Sequence, residues 1–129
     1  ILRDYRDYTM ICAGVFDDMV ATLALENKAA ILKRNRQIVE ENLALMDAWI
    51  AKEPKASWVR PASVSTSFVK LDVNRPIEDF ALELLQDYGV LVVPGNRFDK
   101  ESHVRIGYCC DKEVLQKGLE KLSQFLNKC

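Results

Sequence analysis

"YGVLVVPGNRFDKESHVRIGY", Tyr88 to Tyr108, decides how the rest of this 129-residue chain is read. Gly89 ends one element, "VLVVPG" reads as a short buried strand closed by Pro94-Gly95, and "HVRIGYC" reads as a second strand. In that second strand Val104, Ile106 and Tyr108 share one face, and His103, Arg105 and Gly107 share the other. A guanidinium cannot shed its proton, so Arg105 in an otherwise apolar strand calls for an anion. Gly107 beside it leaves room for one, and a planar fork of donors suits a carboxylate or a phosphate. Residue chemistry leaves a second reading open, an edge-strand arginine paired with a structural Asp or Glu.

Working outward, "IEDFALELLQDYG" places Ile77, Phe80, Ala81, Leu84, Leu85 and Tyr88 on one helical face and stops at Gly89, a suitable C-cap. Downstream, Asp111 can cap a helix whose buried side is Leu115, Leu119, Leu122, Phe125 and Leu126. Upstream, Val69, Leu71 and Val73 alternate with Lys70 and Asp72, a strand predicted from Ser65 to the Asn74-Arg75-Pro76 turn. Before it, "FDDMVATLALENKAAILKRNRQIVEENLALMDAWIAKEP" has no glycine, no proline until Pro54, and two acids at its start. It reads as one long helix, or two joined near Asn27, with Ile31, Leu32, Ile38, Val39, Leu43, Leu45, Met46, Trp49 and Ile50 as the apolar stripe. The predicted fold class is α+β, a long N-terminal helix followed by β-α-β-β-α, with a small, mainly antiparallel sheet covered by helices.

Composition restricts the function classes. Hydrophobic residues at 49%, charged residues at 29% and a net charge of -1 describe a globular chain with no overall pull toward nucleic acid or an anionic membrane. No apolar run approaches the roughly 20 residues that span a bilayer, and "ILRDYRDY" lacks the features of a signal peptide, so the expected location is cytoplasmic. Cys12, Cys109, Cys110 and Cys129 lack metal or redox spacing and read as free, buried or partly buried thiols, with Cys109 and Cys110 on opposite faces of a strand. The chain opens at Ile1, which suggests a piece of something longer.

The ordered series Gly89-Val90, Pro94-Gly95-Asn96-Arg97-Phe98, Val104-Arg105-Ile106-Gly107-Tyr108 and Gly118-Leu119 resembles the C-terminal end of class I/II aminotransferases, pyridoxal-phosphate enzymes of fold type I. "FDDMVATLAL" looks like the start of that family's interdomain helix, and "KRNRQIVEENLALMDAWI" like its continuation into the small domain. The resemblance implies that residues 1–26 end the large domain and begin the interdomain helix, and that 27–129 form the small domain. It implies that Arg105 grips the α-carboxylate of an amino-acid substrate. It implies that the full-length enzyme holds pyridoxal 5'-phosphate, moves an amino group between an amino acid and a 2-oxo acid, closes over its active site and forms a homodimer. Catalytic and cofactor-binding residues are expected in the absent large domain, none of them in this chain, and no metal is expected; the chain alone is expected to be inactive and to bind no cofactor.

The same resemblance gives Asn96, Arg97 and Phe98 a place near the substrate entrance, yet they read as loop packing and exposure. His103 reads as a surface or edge-strand residue. Lys70, in an alternating strand, is rejected as the cofactor lysine. Two other function classes fit such a domain: a free-standing amino-acid-binding regulatory domain with Arg105 as its effector site, and an interaction domain using the apolar side of "MVATLAL".

Overall fold

The computed structural model describes residues 14–62 and 64–129. The chain divides into two compact units, Ile1–Asn35 and Arg36–Cys129. In the first, α1 spans Val15–Glu26 and buries none of its residues; Phe16 and Leu25 are 83% and 69% exposed. The long helical stretch breaks at Asn27, whose φ and ψ of -98° and 13° leave the helical range, and α2 resumes over Lys28–Ile50. The break is one residue wide. Asn27 N–H still donates to the Leu23 carbonyl at 3.1 Å and the Asn27 carbonyl accepts from Ile31 N–H at 3.2 Å, while the Asn27 amide caps Leu23 at 2.8 Å. Asparagine suits that position because its short amide can satisfy a carbonyl that the local distortion loosens.

The second unit is a two-layer α+β arrangement. Its strands are β1 (Ala56–Trp58), β2 (Thr66–Leu71), β3 (Val93–Pro94) and β4 (His103–Gly107), in the order β1-β2-β4-β3 with every pair antiparallel. Its further helices are α3 (Ile77–Tyr88) and α4 (Lys112–Leu126). One sheet face, formed by Val69, Leu71, Val104 and Ile106, is buried in a core with Phe80, Leu84, Leu115, Leu119, Leu122, Phe125 and, from α2, Leu43 and Met46. The Phe125 ring centroid lies 4.8 Å from that of Phe80 and 5.2 Å from that of Tyr88, joining α4 to α3. Asn42, buried on α2, donates to the carbonyls of Tyr108 at 2.7 Å and Cys110 at 2.9 Å, which satisfies the chain as it leaves β4.

The helix ends follow their residues. Gly89 takes the left-handed conformation, φ 66°, and closes α3 with bonds to Leu84 and Leu85. Asp111 caps α4 by accepting from Glu113 N–H at 2.9 Å.

Several sequence-based expectations are corrected. Ala56–Trp58 forms an edge strand that the sequence reading did not include. "VLVVPG" contributes only Val93–Pro94 to the sheet, and a turn of 3-10 helix follows at Gly95–Phe98. Strand β2 ends at Leu71 rather than at the Asn74 turn; its last ladder bonds, Leu71 N–H to the Ser102 carbonyl and Asp72 N–H to that of Lys55, reach residues just outside β4 and β1, where the partner strands themselves end. The predicted stripe on α2 is buried only at Leu43 and Met46, with Val39, Leu45, Trp49 and Ile50 packed at the core margin, while Leu32 stays 49% exposed. Leu85, placed on the buried face of α3, is 40% exposed. Cys109 and Cys110 lie beyond the end of β4 rather than within a strand; Cys109 and Cys129 are exposed, Cys110 is half-buried, and Cys12 lies outside the described residues. Among the described residues no helix is long and apolar enough to cross a membrane.

Candidate functional site

Alternation along β4 sends Val104 and Ile106 into the core and therefore Arg105 to the opposite face. The strand is flanked on both sides: Arg105 is paired with Phe68 of β2 and with Val93 of β3. Arg105 is thus an inner-strand residue, which sets aside the edge-strand reading. Its guanidinium is exposed and joins no ion pair or hydrogen bond among the described residues. Arg60, Arg75 and Arg97 do have carboxylates, respectively Asp47 at 2.9 Å, Glu83 at 2.6 Å and Glu78.

Around Arg105 stand aromatic rings and small polar groups. The guanidinium carbon lies over the Phe98 ring, 5.4 Å from its centroid. Phe98 meets Phe68 edge to face, with centroids 5.9 Å apart and planes at 84°. Thr66, Ser67, Phe68, Phe98 and Arg105 line an open depression of about 270 Å³. Gly107, two residues along β4, adds nothing to fill this face, since a Cβ there would meet no atom within 4 Å.

The turn carrying Phe98 is held by backbone bonds. Lys100 N–H donates to the Gly95 carbonyl at 3.0 Å, His103 N–H donates to that of Lys100 at 3.2 Å, and Asp99 adopts a left-handed φ of 57°. Asn96 donates to Glu78 at 2.8 Å, and Arg97 pairs with the same carboxylate. These contacts engage Asn96 and Arg97 in fastening the turn to α3, as expected of loop residues, whereas Phe98 reaches the arginine.

His103 is not an edge-strand residue; it lies on the inner strand β4, half-buried, across from Lys70. Its ring stacks on Phe68 at 4.9 Å and 19°, and its Nδ1 is buried without a partner. Burial pushes its pKa below the usual value, and the positive charges of Lys100 and Lys70 push it further in that direction. The imidazole therefore serves here as a neutral stacking ring. Ser67 precedes Lys70 by three residues, yet the two diverge: Ser67 is buried and donates to the Ile106 carbonyl at 3.4 Å, while Lys70 is exposed on the Arg105 face.

The sequence reading located Arg105 and the space beside Gly107 and did not single out Phe68. Its signal was present: alternation with core residues Val69 and Leu71 puts a large aromatic on the outward face, where it covers no core.

These features match known proteins along nearly the whole chain. The sequence pattern of "Aminotransferase class I and II" covers residues 11–122. A PLP-dependent aminotransferase of known structure from Streptococcus suis is 65% identical, superposes with a TM-score of 0.93, and is matched over 98% of this chain and 34% of its own. Aspartate aminotransferase from Thermotoga maritima superposes with a TM-score of 0.81 at 25% identity, over 96% of this chain and 32% of its own. Capreomycidine synthase from Streptomyces vinaceus is 29% identical over 94% of this chain and 31% of its own length. The chain thus spans about a third of the length of these relatives. A match reaching from residue 11 to residue 122, joined to the shared fold, makes this chain a member of the class I and II aminotransferases.

Proposed function

We propose that residues 27–129 are the small domain of a pyridoxal-phosphate-dependent aminotransferase, that 1–26 close its large domain and open the interdomain helix, and that Arg105 binds the substrate's α-carboxylate. The observation that carries this reading is the Arg105 guanidinium, set on an inner strand facing an open depression without a carboxylate among the described residues. A carboxylate entering the depression would accept two parallel hydrogen bonds and neutralise the cation, fixing the orientation of the substrate's α-carbon.

Pyridoxal 5'-phosphate supplies the electron sink for chemistry at the α-carbon when it is bound. The described residues do not fit a site for it: Lys70 is exposed on β2, and the depression beside Arg105 is lined by Thr66, Ser67, Phe68 and Phe98, with no lysine among them. On this reading the anchoring lysine and the phosphate site belong to the large domain, and this chain by itself does not transaminate. In the full enzyme the reaction is amino transfer between an amino acid and a 2-oxo acid, in a cytoplasmic homodimer whose small domain closes on the substrate.

The test is Arg105→Ala in the protein expressed from its full reading frame, titrated with amino acids while the cofactor's visible absorption is followed. Loss of a charge-assisted, two-pronged contact raises the half-saturating amino-acid concentration by about 10- to 100-fold and leaves the unliganded absorption unchanged. An unaltered titration removes Arg105 from the substrate site.

A further inference from the structure

Resting on the carboxylate reading of Arg105, we propose that Phe98 is a positioning residue for it: the Phe98 ring holds the guanidinium in place by a cation–π contact and leaves its N–H donors for the incoming carboxylate.

An unpaired arginine on a sheet surface has several rotamers open to it, and selecting one of them costs binding energy each time a ligand arrives. A carboxylate from the chain could hold the side chain still, but it would occupy the donors the substrate needs. An aromatic face avoids that conflict, because it attracts the cation and offers no acceptor lone pair. The Phe98 ring lies 5.4 Å from the guanidinium carbon, within the range for such attraction.

The ring is itself anchored from two directions. Phe68, directly across the ladder from Arg105, meets it edge to face, and Phe68 in turn stacks on the His103 ring. From the backbone side, the turn closes with Lys100 N–H on the Gly95 carbonyl at 3.0 Å and is tied to the start of β4 by His103 N–H on the Lys100 carbonyl at 3.2 Å. His103, Phe68, Phe98 and Arg105 therefore form a continuous row on one sheet face, with the cation at its end beside the depression. Phe98 is 46% exposed, so its contact with Arg105 is not a by-product of core burial.

The test uses the full-length protein and calorimetric titration with propanoate, succinate and 3-phenylpropanoate, carboxylic acids that carry no amino group to react. Phe98→Leu, which keeps apolar bulk and removes the ring, weakens the best-bound acid about threefold to tenfold, and Phe98→Tyr, which keeps the ring, binds within about twofold of the unmodified protein. In an Arg105→Ala background, Phe98→Leu has no further effect on the dissociation constant. If Phe98→Leu weakens binding equally with and without Arg105, or Phe98→Tyr fails to restore it, Phe98 acts by lining the depression and the inference falls while the Arg105 site stands. If Arg105→Ala binds the acids as well as the unmodified protein, or none of the three acids binds, both readings fall.

Discussion

Gly95 and His103 meet backbone to backbone: a Cβ on Gly95 would come within 2.5 Å of the His103 carbonyl oxygen, and it would also strike that of Lys100. Both obstacles are main-chain atoms of the turn that carries Phe98 and of the strand that carries Arg105, so a side chain at residue 95 cannot be accommodated by a rotamer change. Gly95→Ala is expected to cost about 3 kcal/mol of stability, the upper part of the range for overpacking, and to displace Phe98. Urea unfolding measures the first effect; a stability loss below about 1 kcal/mol contradicts the close approach.

Asn42 ties α2 to the chain leaving β4 through two hydrogen bonds, to Tyr108 and Cys110. Asn42→Ala leaves both buried carbonyls without that donor and is expected to cost about 2–3 kcal/mol. Asn42→Asp is expected to cost more at neutral pH, since a carboxylate would present acceptors to acceptors. The order of the two unfolding midpoints checks the assignment.

The neutral His103 ring gives stability a pH dependence. Its folded-state pKa is lowered, so as pH falls below about 6.5 the unfolded chain takes up the proton more readily than the folded one, and stability is lost. Above that range the contribution is fully present. Thermal unfolding between pH 8 and pH 5 should show a smaller drop for His103→Phe, which keeps a ring against Phe68 and removes the titrating group, than for the unmodified protein. Parallel curves would assign the acid loss to other groups.

Arg105 is expected to matter little for folding. Arg105→Ala removes an exposed cation and one cation–π contact, a loss of about 1 kcal/mol or less in urea unfolding. A loss above about 3 kcal/mol would instead mark a buried ion pair, and would count against a ligand-binding role.

Local periodicity determined a good part of this protein. The 3.6-residue repeat with Gly89 at its end defined α3, Asp111 marked the start of α4, and alternation through Val104 and Ile106 put Arg105 on the outward face. Each of these depends on neighbours within a few residues, so the order of amino acids suffices to specify it. The ordered motifs from Gly89 to Leu119 also carried the family. Tertiary structure decided what depends on pairing across the chain. Ala56–Trp58 becomes a strand only because β2 offers an edge, and "VLVVPG" gives just two residues to the sheet because only Val93 and Pro94 reach β4. The same holds at the site: periodicity assigned Arg105 a face, but ladder register placed Phe68 opposite it, and the backbone closure at Gly95 brought Phe98 over its guanidinium. A strand's own sequence sets which side each residue occupies, and only its partners' register sets which residues meet there.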